Sequence, residues 1–153
     1  MGNKYYNKPP ISLLFQKTAL CAAYKDSRCK ISGKKLIWLA RIRPTPFSKT
    51  YTVMITYKLW DSPRVWVVGD ELEKLEAIDF PHKYEIDAEN KKVRICLYRY
   101  DEFNAFKVIA NTVVPWTVEW LYFYELWLAT GQWLGGGEHP NVGEEKTDEV
   151  RNK

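Results

Sequence analysis

Thr50-Tyr51-Thr52-Val53-Met54-Ile55-Thr56-Tyr57-Lys58-Leu59 alternates large apolar side chains with threonine, methionine and lysine. A period of two in β-branched and aromatic residues predicts a half-buried strand, with Tyr51, Val53, Ile55, Tyr57 and Leu59 turned inward. Upstream, Leu36, Trp38, Ala40 and Ile42 alternate with Ile37, Leu39, Arg41 and Arg43 until Pro44-Thr45-Pro46 breaks the run. Downstream, Asp61-Ser62-Pro63 turns into a third strand, Arg64-Val65-Trp66-Val67-Val68. Links this short favour an antiparallel meander.

Beyond the third strand, Gly69 to Phe80 is polar, with Leu72, Leu75 and Ile78 as anchors. His82 to Ile86 reads as loop, Asp87-Ala88-Glu89-Asn90 as a turn, and Lys92 to Tyr98 as the fourth strand. On the N-terminal side, residues 1–10 are polar and end in Pro9-Pro10. Ile11 to Lys25 has helical spacing, with Cys21 in its apolar stripe, and Ser32-Gly33 is turn-like. On the C-terminal side, Phe103 to Thr112 predicts a short helix, and Pro115 suits the first turn of a longer one. Trp116, Trp120, Phe123 and Trp127 recur at helical spacing, and Leu121, Tyr124 and Leu128 make a second apolar face. A helix this apolar must pack on the sheet and on something else. Gly131 is its natural stop. The expectation is an α+β domain over residues 1–140: an N-terminal helix, a four-stranded antiparallel meander and C-terminal helices on one side of the sheet. The charged tail over 141–153 reads as disordered.

Composition narrows the function. The formal charge is +4, from 23 basic and 19 acidic residues, and the basic residues are spread along the chain. Nucleic-acid binding is therefore not implied. The 3 cysteines form no Cys-x-x-Cys pair and only His82 and His139 accompany them, so no disulfide framework and no metal site follow. No apolar run is long enough to span a bilayer, and Met1 to Tyr6 lacks a leader's apolar core. The expectation is a reduced, cytoplasmic, soluble protein with neither cofactor nor membrane partner.

One thiol stands apart. In Val93-Arg94-Ile95-Cys96-Leu97-Tyr98, the strand pattern turns Cys96 to the side of Arg94 and Tyr98, away from Val93, Ile95 and Leu97. Two readings stay open on this pattern: a small half-buried hydrophobe, or a thiolate held by a cation and a phenol. The inert reading is the commoner one for free cysteines.

The order of elements resembles the ubiquitin-conjugating enzyme fold. A strand ends in Arg43-Pro44-Thr45-Pro46, the strand Tyr51–Tyr57 is followed by Pro63-Arg64-Val65-Trp66-Val67, and a histidine precedes Ile95-Cys96-Leu97, which is similar to that family's Ile-Cys-Leu motif. More closely, the chain resembles the prokaryotic ubiquitin-conjugating family of CBASS anti-phage operons, in the short form without an activating-enzyme domain. The stretches that carry this are His82-Lys83-Tyr84, Cys96-Leu97-Tyr98, the segment from Val114-Pro115-Trp116-Thr117 to Glu125, and Thr130-Gly131-Gln132-Trp133 through Gly135-Gly136-Gly137 to Pro140. The resemblance implies that Cys96 accepts the C-terminal carbonyl of a cGAS-like nucleotidyltransferase as a thioester and passes it to an amine, often a lysine on a target protein. A covalent thioester would split one acyl transfer into two easier steps. A non-catalytic scaffold of the same fold, gripping the synthase, is the alternative.

Eukaryotic relatives place His-Pro-Asn before the cysteine, and the asparagine steadies the oxyanion. Here the matching stretch is His82-Lys83-Tyr84. His82 is then a candidate oxyanion donor or a residue that keeps the loop folded, with the loop role favoured. Asn90 is a second candidate, though its turn position predicts a turn role first. Asp101 and Glu102 are candidates to orient an incoming lysine, against a reading as solvated loop acids. Trp120 and Trp133 are the candidate partner contacts. Helical spacing favours the core for Trp116 and Trp120, whereas Trp133 beside three glycines is harder to bury.

Overall fold

A computed structural model describes residues 8–97 and 102–136. Helix α1 spans Leu13–Ala23, shorter at both ends than the periodicity predicts. Ser12 caps it, its Oγ accepting from the Phe15 N–H at 3.1 Å, which satisfies one of the free amides of the first turn. Six strands follow: β1 Arg28–Ser32, β2 Lys35–Ile42, β3 Tyr51–Lys58, β4 Arg64–Val68, β5 Lys83–Asp87 and β6 Lys92–Ile95. Helix α2, Val113–Thr130, is the last helix among the described residues, which continue to Gly136.

All pairings are antiparallel and the sheet runs β1-β2-β3-β4-β6-β5. The meander predicted over β2, β3 and β4 is present, but the sheet has six strands rather than four. β1 was hidden by length and charge. Only Cys29 and Ile31 alternate with Arg28, Lys30 and Ser32, and Gly33, with φ 61°, opens a two-residue turn into β2. β5, expected to be loop, carries no strand signal because Lys83-Tyr84-Glu85 has no inward apolar run. Its register with β6 slips between Lys83 and Glu85, the mark of a bulge.

Leu36, Trp38, Tyr51, Val53, Ile55, Tyr57, Val67 and Val93 are buried on one face of the sheet. Both helices cover that face, as expected. Tyr24, just past α1, meets Trp38 edge-on with ring centroids 5.5 Å apart, and Tyr124 of α2 meets Tyr51 at 6.2 Å. Pro115 lies in the first turn of α2, and Gly131 ends the helix in the left-handed conformation, donating its N–H to the Trp127 carbonyl at 2.8 Å. One expected anchor fails: Ile78 is fully exposed, and Leu72 and Phe80 do the anchoring.

The predicted helix over 103–112 is absent. In its place are turns and a single 3-10 turn at Ile109–Asn111. Gln16, fully buried in α1, accepts the Ile109 N–H at 2.9 Å and donates to the Lys107 carbonyl at 2.8 Å, and Asn104 accepts the Phe106 N–H at 3.0 Å. Side chains have taken backbone groups that a helix would use. Among the described residues, no helix is long and apolar enough to cross a membrane, and no group of three or more His, Cys, Asp or Glu comes together to hold a metal. Tyr98, Asp101, His139 and the charged tail lie outside the described residues.

Candidate active site around Cys96

Strand β6 ends at Ile95, so Cys96 is the first residue beyond it rather than a residue within it. The pairing with β5 nonetheless carries on by one bond: the Cys96 N–H donates to the His82 carbonyl at 2.9 Å. That carbonyl has a second donor. Trp120, from the middle of α2, reaches it through its indole N–H at 3.1 Å. His82 has φ 42°, left-handed backbone that a non-glycine residue adopts at a cost on the order of 1 kcal/mol. Its carbonyl, aimed at two N–H donors, explains why the conformation persists.

The His82 side chain is 4 % exposed. Its ring packs against Trp133 with centroids 4.7 Å apart, and Trp133 also touches Trp120 at 5.8 Å and Phe123 at 5.9 Å. The chain folds back after α2 to deliver Trp133, whose indole N–H donates to the Gly136 carbonyl at 3.3 Å. Gly135 permits this. A Cβ there would sit 2.9 Å from the Phe123 ring and 3.0 Å from Trp133 Nε1, a close approach that glycine allows. Beneath, Trp120 stacks on Tyr124 at 5.1 Å and packs against Phe80 at 6.3 Å. Tyr124 accepts the Glu73 N–H and donates to the Glu73 carbonyl, and burial pushes its phenol up to about 12.

The candidates therefore separate. The Cys96 N–H and Trp120 meet at the His82 carbonyl, Trp133 packs against both His82 and Trp120, and Cys96 is half-buried. Trp120, at 3 % exposed, has no surface to offer a partner and acts from inside. Trp133 keeps part of its ring exposed. Arg94 is engaged by the Glu85 carboxylate at 3.4 Å and lies 4.6 Å over the Tyr84 ring. Asn90 is not brought to the site. It sits at the far end of the β5–β6 hairpin, on the order of 20 Å along the strand, where its N–H and side-chain amide bind the Asp87 carboxylate at 3.0 and 2.8 Å. Glu102 is exposed.

Two residues that shape the surroundings had no sequence signal. Gln16 holds the backbone at 107–109, as described. Glu125 of α2 takes Ser48 Oγ, the Lys49 N–H at 3.3 Å and the Tyr51 hydroxyl at 3.0 Å, pinning the β2–β3 loop to the helix. Burial first, and then this carboxylate, raise the Tyr51 phenol. Contacts across more than seventy residues leave no local pattern to read.

A family model described as type II CBASS E2 protein matches residues 16–140 of this chain. No curated protein matches it.

Proposed function

Because the chain belongs to the type II CBASS E2 family, with a CBASS-associated E2-like role, we propose that Cys96 is the acyl-carrying nucleophile of a ubiquitin-conjugating-like enzyme. The observation that carries this reading is the His82 carbonyl, which accepts two hydrogen bonds and holds the Cys96 backbone just past the end of β6. The Cys96 thiolate adds to the C-terminal carbonyl of a cGAS-like nucleotidyltransferase that arrives already activated. The activating group leaves and a thioester remains. An amine, such as a lysine of a target protein, then adds to the thioester carbonyl and gives up a proton. The tetrahedral intermediate collapses to an amide and releases Cys96 as thiolate.

In this reading His82 is a positioning residue. The bond from the Cys96 N–H to its carbonyl is the contact through which it orients Cys96. The exposed part of the Trp133 ring is where the incoming protein touches, and Glu102 and Asp101 orient the amine. The fold is taken as a six-stranded variant of the ubiquitin-conjugating architecture, acting in the cytoplasm. Mixing the protein with the nucleotidyltransferase encoded beside it, its C-terminus supplied as an activated thioester, should give an adduct that thiol reductant reverses and Cys96→Ala lacks. An adduct that persists in Cys96→Ala would sink the proposal.

A non-catalytic scaffold is the second reading. The observation that favours it is Asn90, held in a distant turn and so no substitute for the missing oxyanion amide. Alkylation distinguishes the two. Cys96 labelling no faster than Cys21 and Cys29 near neutral pH supports the scaffold.

A further inference from the structure

Helix α1 works on two flanks. On one, Gln16 holds the backbone at 107–109. The other packs on β1 and β2 and carries Lys17, Cys21 and Tyr24, which helical spacing sets side by side. Tyr24 meets Trp38 of β2 edge-on at 5.5 Å. Trp38 is the direct register partner of Cys29 in β1, and Cys29 faces inward, toward the helix. Cys21 stands one turn before Tyr24, about 5–6 Å between Cβ atoms. Cys29 stands beside Trp38, about 4.5–5.5 Å between Cβ atoms. A single ring contact therefore draws the two thiols together.

The charges describe the same neighbourhood. After burial, the negative charge of Cys21 is the next cause that raises the Cys29 thiol, and the positive charge of Lys17 opposes it. Both thiols are free and half-buried, and the acyl transfer proposed at Cys96 uses neither.

We propose that Cys21 and Cys29 form a reversible oxidation site that closes to a disulfide in the presence of hydrogen peroxide. Burial keeps Cys29 protonated at neutral pH, so Cys21 meets the oxidant first. Its thiolate attacks one peroxide oxygen. The S–O bond forms, the O–O bond breaks, and the departing hydroxide takes up a proton to give water. Cys21 is now a sulfenic acid. Protonated in that form, it no longer raises Cys29. Cys29 gives up its proton and attacks the Cys21 sulfur. The S–S bond forms, the S–O bond breaks, and the hydroxide leaves as water with that proton. Two thiols have lost two electrons, and one peroxide has become two waters. The bridge ties the last turns of α1 to an edge strand across the short loop 22–28. A thiol reductant reopens it. Transient, redox-sensing bridges of this kind are the ones a reducing compartment permits.

The test uses full-length, reduced protein at low concentration, treated with hydrogen peroxide, capped with iodoacetamide and digested without reductant. Trypsin cuts after Lys25 and Arg28, between the two cysteines, so a bridge shows as two joined peptides. The expected product is that joined pair, separated by reductant, in a chain lighter by two hydrogens. It should persist in Cys96→Ala and vanish in both Cys21→Ser and Cys29→Ser. It should form roughly ten-fold faster in the folded protein than in urea, because the fold holds the sulfurs near each other. Three results overturn the proposal: Cys21 passing to sulfinic acid with no joined peptides, a bridge that runs to Cys96 or only between two copies, or an equal rate in urea.

Discussion

Two half-buried cysteines sit at opposite ends of one sheet, and their surroundings differ in kind. Cys29 lies on the inner face of β1 beneath α1. Burial there, reinforced by neighbouring Cys21, pushes its thiol up to about 11. Cys96 lies past the end of β6, its backbone clamped to a carbonyl that a tryptophan also holds. The structure wraps the sulfur of Cys29 and fixes the backbone of Cys96.

The sharpest way to break this contrast is substitution. Cys96→Ala is expected to abolish the adduct with the nucleotidyltransferase, and Cys29→Ala to leave it intact, read on denaturing gels with and without reductant. Loss of the adduct in Cys29→Ala instead would reverse the assignment. Next in size is labelling rate. At pH 8 a thiol with a pKa near 11 is roughly one-thousandth ionised, so Cys29 should alkylate about a hundred-fold slower than an ordinary exposed cysteine. Peptide mapping after timed iodoacetamide treatment measures this, with Cys96 expected to label first.

A smaller effect tests the clamp. Trp120→Phe keeps a ring but removes the N–H to His82 and part of a buried ring system, and should cost at least about 1 kcal/mol of stability in urea titrations. It should also alter Cys96 labelling and leave Cys29 labelling unchanged. An unaltered Cys96 rate would mean that the clamp serves packing alone. The mildest effect sets the pH limit of the comparison. Tyr124 titrates near 12 in the fold and near 10 in an unfolded chain, as does any exposed phenol. The folded form holds its proton more tightly, so this contribution is complete below pH ~10 and is lost as pH rises toward 12. Tyr124→Phe should flatten that alkaline slope. Labelling of Cys29 near its own pKa therefore competes with loosening of the fold.

Strands β2, β3 and β4 were legible because each buries one face and exposes the other over five to eight residues. Helix α2 was legible from its spacing and from Pro115 and Gly131. β1 and β5 were not, since five-residue edge strands rich in charge carry too few inward side chains to register. At the site, Cys96, His82 and Trp133 could be singled out in advance. Trp120 was read as a partner contact or core residue, and its bond to the His82 carbonyl could not be seen, because a side chain reaching a backbone oxygen 38 residues away has no motif.

Gln16 has a consequence for how the protein is made. Its two bonds join α1 to backbone 91 and 93 residues later. A ribosome extends a chain at about 5–20 residues per second. The first helix therefore emerges several seconds before the segment that receives its side-chain amide. Until then, packing α1 onto the sheet would bury that amide without partners, so its final locking is a step of high sequence separation. The N-terminal helix, made first, is expected to be among the last elements to lock.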